Sequence, residues 1–308
     1  MRGTCATALL AILLLAGCSG AKTRTPHAGG ASASHGRSAG SVAASDRRSS
    51  AEHFRDDINK PQSSRYRDNS DSVPGVVPDV STLVEPVPKV EPRSLYGNKS
   101  PYTVLGHTYR VLPTARGYDE RGIASFYGNK FHGYKTSSLE TYDMYAFSAA
   151  STTLPLPSYA RVTNLENGKS VIVRINDRGP FLENRLIDLS YAAAVKIGIW
   201  PKGTGLVEVR GIDPGSPAQE LPSPSVVRAG HPGIYLQVGA FSDSDNAERL
   251  AQRLRQANLG AVQILDAQVN GRQLHRVRVG PLANVNQADL VSARIESMGL
   301  PPPAVAVD

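Results

Sequence analysis

A chain of 308 residues has room for two domains of ordinary size. Its formal net charge of +7 favours an anionic partner or surface, while only 6% aromatic residues leave little for a stacking platform on single-stranded nucleic acid. With two cysteines in all, Cys5 and Cys18, a zinc site built on cysteine is excluded.

At the N-terminus Arg2 precedes an apolar run from Ala8 to Leu15. The run is too short to span a bilayer as a mature helix and has the layout of a signal peptide over residues 1–17. Leu15-Ala16-Gly17-Cys18 resembles the lipobox of bacterial lipoproteins. The resemblance implies a mature chain that starts at Cys18, lipid-modified and carrying palmitate. Ser19 in place of Asp then favours the outer membrane, facing the periplasm. Several acyl chains hold firmly where one would be marginal. Cys5 leaves with the signal peptide, so the mature chain carries no disulfide. An exported protein rarely meets nucleic acid, so wall polymer or membrane is the anionic partner expected. Residues 18–91 are rich in Ser, Gly, Ala, Arg and Asp, with no persistent period, and are predicted to form a disordered tether.

Residues 92–213 contain several short β-type runs, at 123–127, 159–163, 170–175 and 205–209. Asn167-Gly168 is a hairpin signal between two of them. A helix is predicted from Ser190 to Ile197 with Ser190 as its cap. A small closed β-barrel is the natural way to bury so many short strands. Residues 214–232 carry five prolines and read as a linker. In residues 233–308, Val238-Gly239-Ala240-Phe241 and a helical stretch recur 41 residues on as Val279-Gly280-Pro281-Leu282 and a second helical stretch. With strands at 262–269 and 304–307 the order is β-α-β-β-α-β, a ferredoxin-like four-stranded sheet with both helices on one face. The chain is therefore mainly β plus α+β.

Longer motifs are more specific. Gly122-Ile123-Ala124-Ser125-Phe126-Tyr127-Gly128, Phe131-His132-Gly133, Glu140-Thr141-Tyr142-Asp143, Leu154-Pro155-Leu156-Pro157-Ser158-Tyr159 and Asn176-Asp177-Arg178-Gly179-Pro180-Phe181 resemble the rare lipoprotein A (RlpA) family. The resemblance implies a double-psi β-barrel. In active members it implies lytic transglycosylase activity, a lyase reaction on peptidoglycan strands stripped of stem peptides (denuded glycans). Tyr235-Leu236-Gln237-Val238-Gly239-Ala240-Phe241 and Arg276-Val277-Arg278-Val279-Gly280-Pro281 resemble a SPOR domain, which implies binding to the same glycans at division septa.

Such a lyase needs no metal or cofactor, and none is expected; the seven histidines show no metal-ligand spacing. A carboxylic acid protonates the glycosidic oxygen, and the muramic acid C6 hydroxyl closes on C1 as its proton is removed. Asp177 and Glu140 match the family positions for this work. Ser151 stands where active relatives place a histidine, and Leu139 where they have glycine. His132 is read as a neighbour of the site. Arg178 and Asp188 are read as internal scaffold. On the second module, alternation puts Tyr235, Gln237, Arg276 and Arg278 on one helix-free face as the glycan-binding surface. Two classes stay open: a lytic transglycosylase targeted to septa, or a non-catalytic septal glycan-binding lipoprotein with an inactive barrel. Protein partners are not readable.

Overall fold

The computed structural model describes residues 56–182, 184–215, 233–269 and 271–307. A one-turn helix α1 (Gln62–Arg65) and a hairpin of β1 (Tyr102–Val104) and β2 (His107–Tyr109) precede the barrel strands. Those are β3 (Asp119–Tyr127), β4 (Ser148–Ala150), β5 (Ser158–Asn164), β6 (Ser170–Asp177), β7 (Ile187–Ser190) and β8 (Gly205–Ile212). They close in the order β3-β7-β4-β6-β5-β8. Pairing is parallel for β3 with β7 and for β4 with β6, and antiparallel elsewhere. Parallel neighbours need crossover connections, so the loops between them pass over the barrel ends. Alternation fills the interior with Ala160, Val162, Val173, Ile175, Leu189 and Val207. Helix α2 (Tyr191–Lys196) is started by Ser190, whose hydroxyl accepts from Ala193 N–H at 3.3 Å. Buried alanines at 192–194 let it lie close against the strands.

The second folded segment comprises β9 (Ile234–Phe241), α3 (Ser244–Gln256), β10 (Val262–Val269), β11 (Arg272–Leu282), α4 (Val285–Ser297) and β12 (Ala304–Val307). Its sheet has the order β10-β11-β9-β12, all antiparallel. Asp243 caps α3 and Asn284 caps α4. Leu236, Val238, Val277 and Val279 pack on Ala247, Ala251, Leu254 and Ile295. The barrel meets this segment through a bidentate Arg185–Asp289 pair, at 2.9 and 2.8 Å, and an Asn184–Ser292 hydrogen bond of 2.6 Å.

One expectation is corrected. Residues 56–91, assigned to a disordered tether, lie along the barrel. Tyr66 sets its ring edge-on against Phe131 and Tyr134 at 4.9 Å each. Asp71 accepts from the N–H groups of Gly128 (2.7 Å) and Lys130 (3.0 Å). Arg65 pairs with Asp56 and donates to the Lys135 carbonyl at 2.8 Å, and Glu85 accepts from Ile172 N–H at 3.0 Å. The physical reason is that this strap is held by carboxylates satisfying open backbone donors of the barrel. An apolar period cannot report that. The signal peptide, Cys18 and most of the linker, residues 216–232, lie outside the described residues.

Candidate active site

The site is built by one loop folded over the end of β6. Thr136 N–H donates to the Glu140 carbonyl at 2.8 Å and Leu139 N–H to the Thr136 carbonyl at 2.9 Å, which makes 136–140 a tight turn. Leu139 takes the left-handed conformation at φ 66°. A leucine there costs about 1–2 kcal/mol, and a glycine would not. Ser138 N–H reaches the Asn176 carbonyl at 3.4 Å, docking the turn on the strand end.

That docking brings Glu140 and Asp177 to the same barrel end. Asp177 Oδ1 accepts three hydrogen bonds, from Ser137 N–H (2.8 Å), Ser137 Oγ (2.7 Å) and Arg178 N–H (2.7 Å). Glu140 takes two from Arg174, at 3.1 and 2.9 Å, and one from Asn176 at 3.0 Å. Arg174 is itself shared: its other face holds Glu91, with Tyr159 joining the cluster.

Two carboxylates in two environments titrate differently. Burial pushes the Asp177 carboxyl above its usual range, and the Ser137 and Arg178 donors only partly offset this. Burial also pushes Glu140 upward, but Arg174 and Asn176 outweigh it, and the carboxyl is held below its usual range. Asp177 is the group more readily protonated, and Glu140 stays ionised. Such a split is how acid and base assignments are distinguished in enzymes.

The other expected residues are placed as follows. Ser151 is 2% exposed, and its hydroxyl accepts from Thr153 and Leu154 N–H at 3.3 and 3.1 Å. Only its backbone touches the site, donating to the Asp177 carbonyl at 3.1 Å. The hydroxyl that reaches the carboxylate belongs to Ser137, which the motif comparison passed over. Its one sequence signal was proximity to Glu140. His132 accepts from Met144 N–H at 3.1 Å and packs edge-on to Tyr145, orienting the loop after Glu140. Arg178 spends its guanidinium on the carbonyls of Gly97, Ser151 and Leu154, and Asp188 accepts from Ser125. Arg174, Asn176 and Glu91 were also missed, Glu91 because it sits in the strap.

On the second segment, Gln237 and Arg278 are direct cross-strand partners, and Tyr235 lies on the same face. The register shifts between Val277 and Arg278, so Arg276 pairs with Ala240 and stays on that face while Val277 and Val279 remain buried. The Tyr235 ring is seated against Gly233 and Gly280; a Cβ on Gly280 would come within 2.8 Å of it. The face is not open on all sides. Gln237, Arg276 and Arg278 share a cleft of about 520 Å³ with Asp119, Arg121 and Arg210 of the barrel. Among the described residues no cluster of His, Cys, Asp and Glu fits a metal ion, and no helix is long and apolar enough to cross a membrane.

The closed six-stranded barrel and the α+β module after it define the class: a double-psi β-barrel protein with a SPOR domain. A family model described as lytic transglycolase matches residues 119–210, and a SPOR-domain model matches residues 230–305. The endolytic peptidoglycan transglycosylase RlpA of Pseudomonas aeruginosa PAO1 is 40% identical over 290 residues, covering 76% of this chain and 84% of the relative. That of Vibrio cholerae is 39% identical over 235 residues, covering 76% and 86%. The crystal structure of the P. aeruginosa RlpA SPOR domain matches at 35% identity with a TM-score of 0.24, covering 24% of this chain and 97% of that one. This chain belongs to the RlpA family, whose named members are endolytic peptidoglycan transglycosylases.

Proposed function

We propose that the protein cleaves peptide-free peptidoglycan strands by lytic transglycosylation. Asp177 donates its proton to the glycosidic oxygen, and the C1–O bond breaks. The muramic acid C6 oxygen then bonds to C1 and gives up its proton to the carboxylate just formed, leaving a 1,6-anhydro end. No water is consumed. Glu140, ionised, supplies negative charge beside the developing oxocarbenium ion. The observation that carries this reading is the unlike holding of two carboxyls at one barrel end: Asp177 takes only neutral donors, from Ser137 and the Arg178 N–H, whereas Glu140 is paired with the Arg174 cation and Asn176. Tyr235, Gln237, Arg276 and Arg278 hold the same denuded glycans and target the enzyme to septa, and acylated Cys18 anchors it in the outer membrane.

The test is to incubate the purified mature chain with amidase-treated peptidoglycan and read the products by mass spectrometry. New 1,6-anhydro ends are expected, falling by about 10² to 10⁴-fold in Asp177→Asn, which cannot carry the proton. Reducing ends in their place would make the protein a hydrolase. A second reading, a non-catalytic septal glycan-binding lipoprotein, is favoured by Ser151, which turns its hydroxyl to its own loop and away from both carboxylates. Glycan binding with no cleavage would select it. Anchoring is tested separately: Cys18→Ala should leave the outer-membrane fraction, and tight retention there would refute the lipid anchor.

A further inference from the structure

Asp177 is unevenly held. Its Oδ1 accepts three hydrogen bonds while Oδ2 accepts none from the described residues. An oxygen that already takes three donors has no lone pair to spare, so protonation is directed to the other. Two of the three donors come from one residue. The Ser137 hydroxyl lies 2.7 Å from Oδ1 and 3.2 Å from Arg178 N–H, so it donates to the carboxylate and accepts from the backbone in the same place. With the acceptor role filled by Arg178 N–H, the hydroxyl proton points to Asp177.

Among the described residues no other side chain donates to Asp177. Arg65 and Tyr66 from the strap, Tyr127 of β3, Tyr142, Arg178 and Asp188 of β7 surround the carboxyl electrostatically. Arg65 is bonded to Asp56, Tyr142 donates to the Tyr127 carbonyl, Arg178 is turned to three carbonyls, and Asp188 is held by Ser125.

We propose that Ser137 is the positioning residue for Asp177: it fixes Oδ1 as a permanent acceptor, so that Oδ2 carries the proton delivered to the glycosidic oxygen. The inference rests on the reading of Asp177 as the acid. Ser137 does this from the same loop that supplies Glu140.

The hydroxyl bond favours the charged carboxylate, so removing it raises the Asp177 pKa. An acid must be protonated to act, and the alkaline limb of kcat/KM follows that pKa. Ser137→Ala should therefore move the limb up by about one pH unit and lower the maximal rate by about tenfold. Ser137→Thr, which keeps the hydroxyl, should restore both. A melting temperature close to wild type shows that the fold is intact. A uniform loss of rate with the limb unmoved would overturn the proposal, as would an unchanged profile. The carboxyl can also be followed without turnover, by 13C titration of Asp177 in the purified mature chain: Ser137→Ala should raise its pKa, and an unmoved titration overturns the proposal. If wild type makes no anhydro ends while the titration shifts, the enzyme reading fails and the contact between Ser137 and Asp177 stands.

Discussion

Arg174 joins the strap to the active-site loop, and replacing it by methionine tests both. The guanidinium donates to Glu140 twice, to Glu91 twice and to Tyr159 at 2.8 Å. The three charged side chains are 23%, 20% and 36% exposed for Arg174, Glu91 and Glu140. Removing one partner of a fully buried pair costs about 3–5 kcal/mol. Solvent reaches this cluster, so about 2–3 kcal/mol is expected at neutral pH. The pH dependence is the sharper signature. Arg174 chiefly holds Glu91 below its ordinary value of 4.5, and Glu140 is also held down in spite of burial. A carboxyl lowered in the fold contributes stability above its unfolded pKa, and loses it as pH falls through the folded value. In Arg174→Met the charged partner is gone and mainly the Tyr159 bond to Glu91 and the Asn176 bond to Glu140 still oppose burial, so both carboxyls rise and acid protonates them at less cost. Urea unfolding of wild type and variant at pH 7 and about pH 4 should show the gap narrowing toward acid. A gap of the same size at both would refute the ion-pair account and leave only lost packing.

Three further outcomes follow from single positions. Leu139→Gly should be more stable than Leu139→Ala by about 1 kcal/mol in thermal or urea unfolding, reversing the usual order, because φ 66° penalises any Cβ. Gly280→Ala should destabilise the SPOR segment by more than about 1 kcal/mol, since its Cβ would fall 2.7 Å from the Ile234 carbonyl oxygen and φ is +144°; an unchanged melt would show that the strand shifts freely. Gln237→Ala with Arg278→Ala should weaken glycan pull-down at least tenfold with little change in melting temperature, because both side chains lie on the helix-free face.

Much of the fold was legible because its elements carry their own signals. Strand 262–269, strand 304–307 and both SPOR helices follow from alternation and a 3.6-residue period, and the structure places them there. Strands β4 and β7, of three and four residues, are too short to show a period. They exist because the barrel needs partners for β6 and β3. The site was half legible. Motif matching reaches Asp177 and Glu140, but a hydrogen bond spanning forty residues, from Ser137 to Asp177, depends on how a loop docks. The strap escaped for a related reason: its anchors are Asp56, Asp71, Glu85 and Glu91, single carboxylates that look solvated in sequence.

The strap also sets a mechanical limit. With acylation at Cys18 as proposed, a tether running to residue 91 would let the barrel stand off the membrane by about 250 Å at full extension. Among the described residues the first bound to the barrel is Asp56, which accepts from Lys135 N–H at 2.7 Å. About 38 residues then remain between anchor and barrel, and covalent geometry caps their span at about 130 Å. Half the apparent leash is part of the machine it was thought to hold. The shell of wall the barrel can reach is correspondingly thinner, and residues inserted before Asp56 would widen it without touching a catalytic group.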